Sequence, residues 1–204
     1  MKLIDAIKHH GRPFEIPDCS RDDLPEFFRQ MKYKTGAEIG VNEGQFSEKF
    51  AKTGLTIYAI DPWIQYNDYN DSDSQKRFDD IYNRAKKRLS IPNCHIIRKT
   101  SMEAVKDFED ESLDFVYIDG NHQLKYVIED IVEWSKKVKK GGVISGHDYV
   151  HFIARSQLGI CHVIEAVNAY TQAYKIDNWY LLGKKRAPSS EKRDKWRSWM
   201  WIKK

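Results

Sequence analysis

The chain has 204 residues, of which 41% are apolar and 31% are charged, and its formal net charge is +4. This length predicts one domain with a sizeable core, and so small a basic excess gives no reason to expect strong non-specific binding to nucleic acid. Three scattered cysteines form neither a zinc-type pair nor a disulfide framework, which favours a reducing, cytoplasmic location. The N-terminus lacks the apolar core of a secretion signal, and no apolar run is long enough to cross a membrane.

Residues 1–35 are predicted to form a helical preface to a core at 36–204, both within one domain. Ser20 to Asp23 has the pattern of a capping box, and apolar side chains follow it at helical spacing: Leu24, Phe27, Phe28 and Met31. One interpretation is a helix that covers an edge of a sheet, and another is a lid over a ligand. The aromatic face would also suit an interface between copies of the chain, which is why a homo-oligomer is among our expectations.

Residues 36–46 are predicted to form a short buried strand, a glycine turn and the start of a helix. In the pattern Glu38-x-Gly40-x-x-x-Gly44, the glycines let a ligand approach the main chain, and the helix directs free N–H groups toward it. The next apolar run ends at Asp61, where an acid is placed to bind ribose hydroxyls. The alternative is a tight strand-to-helix turn of the kind found in any α/β protein.

This stretch resembles the first motif of the class I S-adenosylmethionine-dependent methyltransferases. The resemblance implies that Glu38 lies near the methionine end of the cofactor, Gly40 beneath it and Asp61 on the ribose. A carboxylate beside the turn suits a ligand with a cationic amino acid part better than it suits a pyrophosphate. The cofactor-binding residues predicted in this region also include Asn42, Gly44, Pro62 and Trp63.

Two further segments are candidates for cofactor contacts. Trp63 begins a polar, aromatic loop with Tyr66 and Tyr69, and these rings would either stack on a ligand or pack back on their own domain. After a third predicted strand at 95–98, the resembled family holds adenine in the turn that follows. Ser101 is the candidate there, with Met102 against the ring, and the alternative for Ser101 is an ordinary helix N-cap.

Polar residues also follow the fourth and fifth predicted strands. The strand at 113–118 ends in Asp119-Gly120-Asn121-His122, and a helix from Leu124 to Val138 is expected to close at Gly141-Gly142. The strand at 143–145 then ends in Gly146-His147-Asp148. Because the carboxyl ends of neighbouring parallel strands meet at one edge of a sheet, these groups can converge on one ion.

Two carboxylates with an imidazole suit Mg²⁺ or Mn²⁺, and a histidine has the pKa of a base at neutral pH. A hydroxyl needs such help, since it is a poor nucleophile until its proton is removed. The structural alternatives are a helix cap for Asp119, a satisfied core histidine for His147 and a turn residue for Asp148.

These two segments resemble the metal-dependent sugar O-methyltransferases of macrolide pathways and their small relatives. The resemblance implies that Asp119 and Asp148 hold a metal and that His122 is the base, and Asp119 is also assigned to the cofactor site. His147 stands where that group has an acid. We retain it as a metal-ligand candidate, and this departure leaves open whether a metal is required.

The alternation of strands and helices predicts a parallel sheet covered on both faces, and two more strands are expected at 179–182 and 199–202. The resemblance implies a Rossmann-like class I methyltransferase fold: an α/β domain with a mostly parallel seven-stranded sheet, a final antiparallel strand and helices on both faces.

The predicted function is S-adenosylmethionine-dependent O-methylation of a small molecule, with a sugar as the expected acceptor and the loops 63–74 and 149–158 as its selecting segments. A nucleic-acid methyltransferase is an alternative because the C-terminus is basic and carries Trp196, Trp199 and Trp201. The Asn/Asp-Pro-Pro-aromatic signature of base methylation is absent from the sequence, which argues against nucleic acid as the partner. A further alternative is a non-catalytic relative that only binds the cofactor or a partner protein.

Overall fold

Strands and helices alternate along the part of the chain that the structure describes. This computed structural model describes residues 1–65, 74–151, 161–185 and 196–204. Its strands are β1 (Phe14–Ile16), β2 (Thr35–Ile39), β3 (Thr56–Ile60), β4 (Cys94–Ile97), β5 (Leu113–Ile118), β6 (Val138–Gly146), β7 (Tyr180–Leu182) and β8 (Ser198–Ile202). Its α-helices are α1 (Leu3–Ala6), α2 (Leu24–Gln30), α3 (Gln45–Lys52), α4 (Gln75–Arg88), α5 (Ser101–Ala104), α6 (Leu124–Lys137) and α7 (Val163–Ala173), with 3₁₀ turns at Arg21–Asp23 and Val105–Asp107.

The strands form one sheet in the order β1-β7-β8-β6-β5-β2-β3-β4. Strand β8 runs antiparallel to its neighbours β6 and β7, and the other neighbouring pairs of the described sheet are parallel. The predicted Rossmann-like sheet of seven strands, mostly parallel with a final antiparallel strand, is confirmed in β2 to β8.

Strand β1 is an addition that the sequence did not predict. It lies inside the segment expected to be helical and pairs in parallel with the edge strand β7, with Phe14 opposite Tyr180. Three residues are too few for a period-2 pattern to show, and the strand exists because β7 offers an open edge. The segment does contain the helix α2, and Ser20 and Asp23 form the predicted capping box before it.

The boundary between α6 and β6 also differs from the prediction. The helix ends at Lys137, and Val138 and the pair Gly141-Gly142 belong to β6 rather than to the helix and its end. A side chain on Gly142 would meet the carbonyl of Asp114 on β5. Gly142 therefore allows the close approach of two strands, and in the sequence such a glycine cannot be distinguished from one that ends a helix.

Two apolar clusters pack on the two faces of the sheet. On one face, Phe28 of α2 stacks on Phe115 of β5, and Phe50 of α3 packs against the same ring at a tilt. On the other, Trp134 of α6 packs in the cluster that contains Val116, the next residue along β5. Side chains alternate along a strand, and β5 is covered on both faces.

The aromatic face of α2 is used inside the protein. Phe27 and Phe28 are buried in the core, and the expected interface between copies cannot use these two side chains.

The register brings the carboxyl ends of the central strands to one edge of the sheet. Ile39 is paired with both Ile60 and Ile118, and Ile118 is paired with Gly146. The segments that leave β2, β3, β5 and β6 therefore begin side by side. None of the helices in the described ranges is long and apolar enough to span a membrane.

Candidate active site

A cavity of about 520 Å³ opens at the carboxyl edge of the sheet. Its walls come from the ends of β2, β3 and β5, from the start of α5 and from one side of α6. Most of the predicted cofactor-binding residues line it: Gly40, Asn42, Asp61, Pro62, Ser101, Met102 and Asp119. Glu38, Gly44 and Trp63 lie outside its wall.

The two glycines of the turn, Gly40 and Gly44, have different structural roles. Gly40 has a φ of +87°, and a Cβ on it would collide with the carbonyl of Asp119 at the end of β5. Only glycine allows this approach of two strand ends beside the cavity. Gly44 also has a positive φ, but its Cβ would meet the side chain of Leu89 at 2.8 Å, and its role is to seat α3 against the core.

Glu38 lies beneath the turn rather than in the cavity wall. It is buried on the face of β2 that meets α3, where its carboxyl group accepts a hydrogen bond from the Ser47 hydroxyl. Burial raises the pKa of Glu38 to about 8. Glu38 would therefore influence the methionine end of a cofactor indirectly, through the glycine turn that separates it from the cavity, and not by direct contact.

Asp61 braces the turn. Its carboxylate accepts hydrogen bonds at 3.0 Å from the amides of Val41 and Asn42 and at 2.8 Å from the amide of Trp63. Burial raises the pKa of Asp61, and these amide hydrogen bonds oppose that rise. Because a carboxylate can accept more than three hydrogen bonds, the predicted contact with ribose remains open to it.

Trp63 packs back on its own domain. The ring is buried against Tyr82, with 5.0 Å between centroids, and its indole N–H donates to the carbonyl of Asn42 at 2.9 Å. The stacking role predicted for Trp63 is therefore not supported by its position, and its contacts fix the glycine turn instead. Tyr66 and Tyr69 lie outside the described residues, as do most of the loops predicted to select the acceptor.

The wall of the cavity also contains an acid, Asp130, that the sequence did not predict. Thr100, not Ser101, caps α5, which removes the helix-cap alternative for Ser101. The Ser101 hydroxyl instead donates to Asp130 and accepts from the indole of Trp134 at 2.8 Å. Burial raises the pKa of Asp130 to about 7. The available signal was an acid on the apolar face of α6, between Val127 and Ile131.

A cluster of two carboxylates and two imidazoles lies beside this cavity. Nε2 of His122 is 2.9 Å from Oδ2 of Asp148, and Nδ1 of His147 is 3.1 Å from its Oδ1. Both rings lie 3.9 Å from Oδ1 of Asp119. The segments after β5 and β6 thus converge as predicted.

The set of atoms best placed for a cation differs from the predicted set. Within the described ranges, Asp119, His122 and Asp148 each offer one ligand atom, and these atoms lie within 4.8 Å of one another. Two carboxylates and one imidazole fit a hard divalent ion. His122, predicted only as a base, thus joins the group in place of His147.

The charges in this cluster determine what His122 can do. Burial lowers the pKa of its imidazolium, but the carboxylates of Asp119 and Asp148 outweigh that effect and raise it to about 10. Burial also raises the pKa of Asp148, but the two histidines outweigh it and hold that pKa well below its usual range. His122 can therefore accept a proton at neutral pH only when another cation shares these carboxylates.

The N-terminal segment adds one residue to this edge. Nη1 of Arg21 lies 3.2 Å from Oδ2 of Asp119, and its guanidinium lies over the ring of Phe46, 5.6 Å from the centroid. No local pattern separates this arginine from other arginines on the surface of the chain. Its significance comes from the tertiary placement of the preface.

The tryptophans near the C-terminus are mostly structural. Trp199 and Trp201 are buried and stacked on each other in β8, and they cannot stack on nucleic acid bases. Trp196 is exposed. Several of the basic residues counted toward that hypothesis lie outside the described part of the chain.

Comparison with known proteins places this arrangement in a family. Residues 37–149 match the family described as a methyltransferase domain. Protein y4gI of Sinorhizobium fredii is 30% identical over 117 residues, which are 55% of this chain and 12% of that protein. The chain thus spans only a small part of the length of this relative.

Solved structures share the fold at low sequence identity. An O-methyltransferase from Bacillus cereus in complex with S-adenosylhomocysteine superposes with a TM-score of 0.60 at 12% identity, over 90% of this chain and 80% of that chain. An rRNA methylase from Streptococcus thermophilus does so with a TM-score of 0.58 at 14% identity, over 88% and 93%. The fold is therefore that of class I methyltransferases, and because the family match spans more than half of its residues, the chain belongs to the methyltransferase domain family.

Proposed function

We propose that this protein transfers the methyl group of S-adenosylmethionine to a hydroxyl of a small molecule, with a sugar as the acceptor. The observation that carries the proposal is the contact between two features at one edge of the sheet. Asp119 belongs both to the wall of the cavity and to the cluster that contains His122 and Asp148. A methyl donor in the cavity would therefore face groups that can bind and deprotonate an acceptor.

The cavity has the chemistry that such a cofactor requires. Its wall carries several polar groups: the glycine turn, Asp61, Asp119, and Ser101 with Asp130. Between them lie apolar side chains suited to an adenine ring, including Ile60, Ile64, Phe78 and Met102. Asp130 would accept a hydrogen bond from an adenine amino group, which extends the predicted role of Ser101.

The chemistry follows from the cluster. During transfer the bond between sulfur and the methyl carbon breaks and a carbon–oxygen bond forms, and the hydroxyl proton must leave to a base. His122 is the proposed base. In that role His122 would not coordinate the ion. Asp119 and Asp148 would hold a divalent ion such as Mg²⁺ or Mn²⁺, which would lower the pKa of the acceptor hydroxyl.

Calorimetric titration with S-adenosylhomocysteine tests the cofactor site, with and without Mg²⁺. We expect micromolar binding, and we expect its loss in Asp61→Ala, because two amides of the turn and the amide of Trp63 lose their acceptor. Asp18→Ala is the matched control, since Asp18 is exposed and pairs only with the N-terminal amine among the contacts described. Absence of binding in the unaltered protein would remove the proposal.

An acceptor panel that begins with free and nucleotide-linked sugars tests the second half of the proposal. Methylation of a hydroxyl that depends on His122 supports it, whereas turnover on RNA alone would favour the nucleic-acid alternative. Cofactor binding without turnover on any acceptor in the panel would favour the non-catalytic alternative. The free thiols of Cys19, Cys94 and Cys161 support our further proposal that the protein works in the reducing cytoplasm.

A further inference from the structure

We propose that Arg21 binds the carboxylate at the amino acid end of S-adenosylmethionine, an inference that rests on the cofactor site proposed above. Arg21 belongs to the 3₁₀ turn before α2 and is distant in sequence from the motifs that form the cavity. This assignment would make the N-terminal preface part of the cofactor site and not merely a cover for the sheet.

The first argument for this role is the position of the Arg21 guanidinium. It contacts the carboxylate of Asp119 at 3.2 Å, and the carbonyl of that same residue is the nearest atom that a Cβ on Gly40 would meet. Arg21 is not itself in the wall of the cavity, but it contacts Asp119, which belongs to that wall where β2 and β5 end. Its side chain is 29% exposed, so part of it remains accessible to a ligand.

The second argument for Arg21 is the negative charge of the cavity wall. That wall contains four acids: Asp61, Asp119, Glu129 and Asp130. The amino acid end of the cofactor carries an ammonium group, which this wall attracts, and a carboxylate, which it repels. A cation beside Asp119 removes that repulsion. A guanidinium has several donors arranged as a fork, and Arg21 can hold Asp119 and a second carboxylate together.

Lys125 is the competing cation. It lines the cavity from the start of α6, with its ammonium group 5.3 Å from the ring centroid of Tyr126. Lys125 is exposed, whereas Arg21 is packed over Phe46 and oriented by Asp119. Because a pre-oriented fork loses less freedom on binding a carboxylate than a mobile ammonium does, we assign the contact to Arg21.

The test compares two ligands that differ only in this carboxylate: S-adenosylhomocysteine and its decarboxylated analogue. By calorimetry, Arg21→Gln should weaken S-adenosylhomocysteine by about 10- to 100-fold, the range for a lost charged hydrogen bond, and leave affinity for the analogue within about threefold. Arg21→Lys should lie between these limits. Lys125→Gln tests the competing cation and should not show a loss that is selective for the ligand with the carboxylate. Arg29→Gln is the matched control and should change neither affinity, since Arg29 is exposed and pairs with Glu26.

The outcomes separate this inference from the proposed function. No binding of S-adenosylhomocysteine by the unaltered protein overturns both. Normal binding that Arg21→Gln leaves unchanged, or that it weakens equally for both ligands, overturns only the role of Arg21. A selective loss in Lys125→Gln transfers the contact to Lys125 and also overturns it. If Arg21→Gln does not fold, as judged by circular dichroism, the same comparison in Arg21→Lys decides.

Discussion

Oδ2 of Asp148 lies 2.9 Å from Nε2 of His122. This contact links the end of β6 to the segment that follows β5. Asp148 has a φ of 53°, an uncommon conformation for a residue that is not glycine. It turns the chain so that its carboxylate reaches both His122 and His147. The two strand ends therefore act as one electrostatic unit.

Asp148→Asn should lower the pKa of His122 from about 10 toward the ordinary value for histidine, because the variant removes the nearest negative charge. In the unaltered protein the folded pKa exceeds the unfolded value of about 6.5. The stabilisation is then fully present below about pH 6.5 and is lost as pH rises toward 10. In Asp148→Asn the free energy of unfolding should therefore fall less as pH rises over this range. Titration of the histidine ring signals by NMR measures the change directly.

A matched control for that titration is Asp110→Asn. Asp110 precedes the amino end of β5 and pairs with Lys137, so its replacement should leave His122 unchanged. An unaltered His122 pKa in Asp148→Asn would show that Asp148 does not control the charge of this histidine.

His122→Ala should reduce turnover by about 10²–10⁴-fold if this side chain takes the hydroxyl proton. Cofactor affinity should stay nearly the same, because His122 is not in the wall of the cavity described above. Steady-state kinetics on an identified acceptor, with calorimetry for the cofactor, measure both quantities. His95→Ala is the control, since His95 lies exposed on the edge strand β4. Turnover that survives in His122→Ala would exclude the role of base.

The strands that position the site were predicted from the sequence more accurately than the contacts among its side chains. The apolar runs at Thr56–Ile60 and Leu113–Ile118 coincide with strands β3 and β5, because burial on both faces leaves an uninterrupted apolar signal. Arg21 and Asp130 were missed because their partners are distant in the chain. That His122 rather than His147 joins the candidate group for a cation follows from the side-chain positions of the folded chain, which no spacing rule contains.

In the unaltered protein the free energy of unfolding should fall as pH rises, because Asp130 loses its proton, and Asp130→Asn should remove this pH dependence. The folded pKa of Asp130 is about 7, above the value of about 3.9 for an unfolded chain. Between these values the folded state binds more protons, and the free energy of unfolding decreases by up to about 1.4 kcal/mol per pH unit. The neutral amide has no such proton to lose.

Urea denaturation at pH values from 4 to 8 measures this slope for the unaltered protein and the variant. Glu133→Gln is the control on the same helix, because Glu133 is more exposed and pairs with Lys136. It should keep the slope of the unaltered protein. An identical slope in Asp130→Asn would mean that the carboxyl group is not held neutral by burial.

Gly40→Ala should abolish cofactor binding and destabilise the fold, and Gly54→Ala provides an unusually close control. Both glycines have a φ of +87°, so alanine carries a similar backbone cost of about 1–2 kcal/mol at either position. A Cβ at Gly54 meets nothing within 4 Å, whereas one at Gly40 collides with the carbonyl of Asp119. Only Gly40→Ala must therefore push the ends of β2 and β5 apart.

Calorimetry with S-adenosylhomocysteine and thermal unfolding separate the two effects. Both variants should unfold at lower temperature than the unaltered protein, with the larger decrease in Gly40→Ala. Binding should persist in Gly54→Ala and disappear in Gly40→Ala, because the meeting of the two strand ends forms the floor of the proposed cofactor site. Equal binding by the two variants would mean that this meeting shapes the fold alone and that the cofactor lies elsewhere.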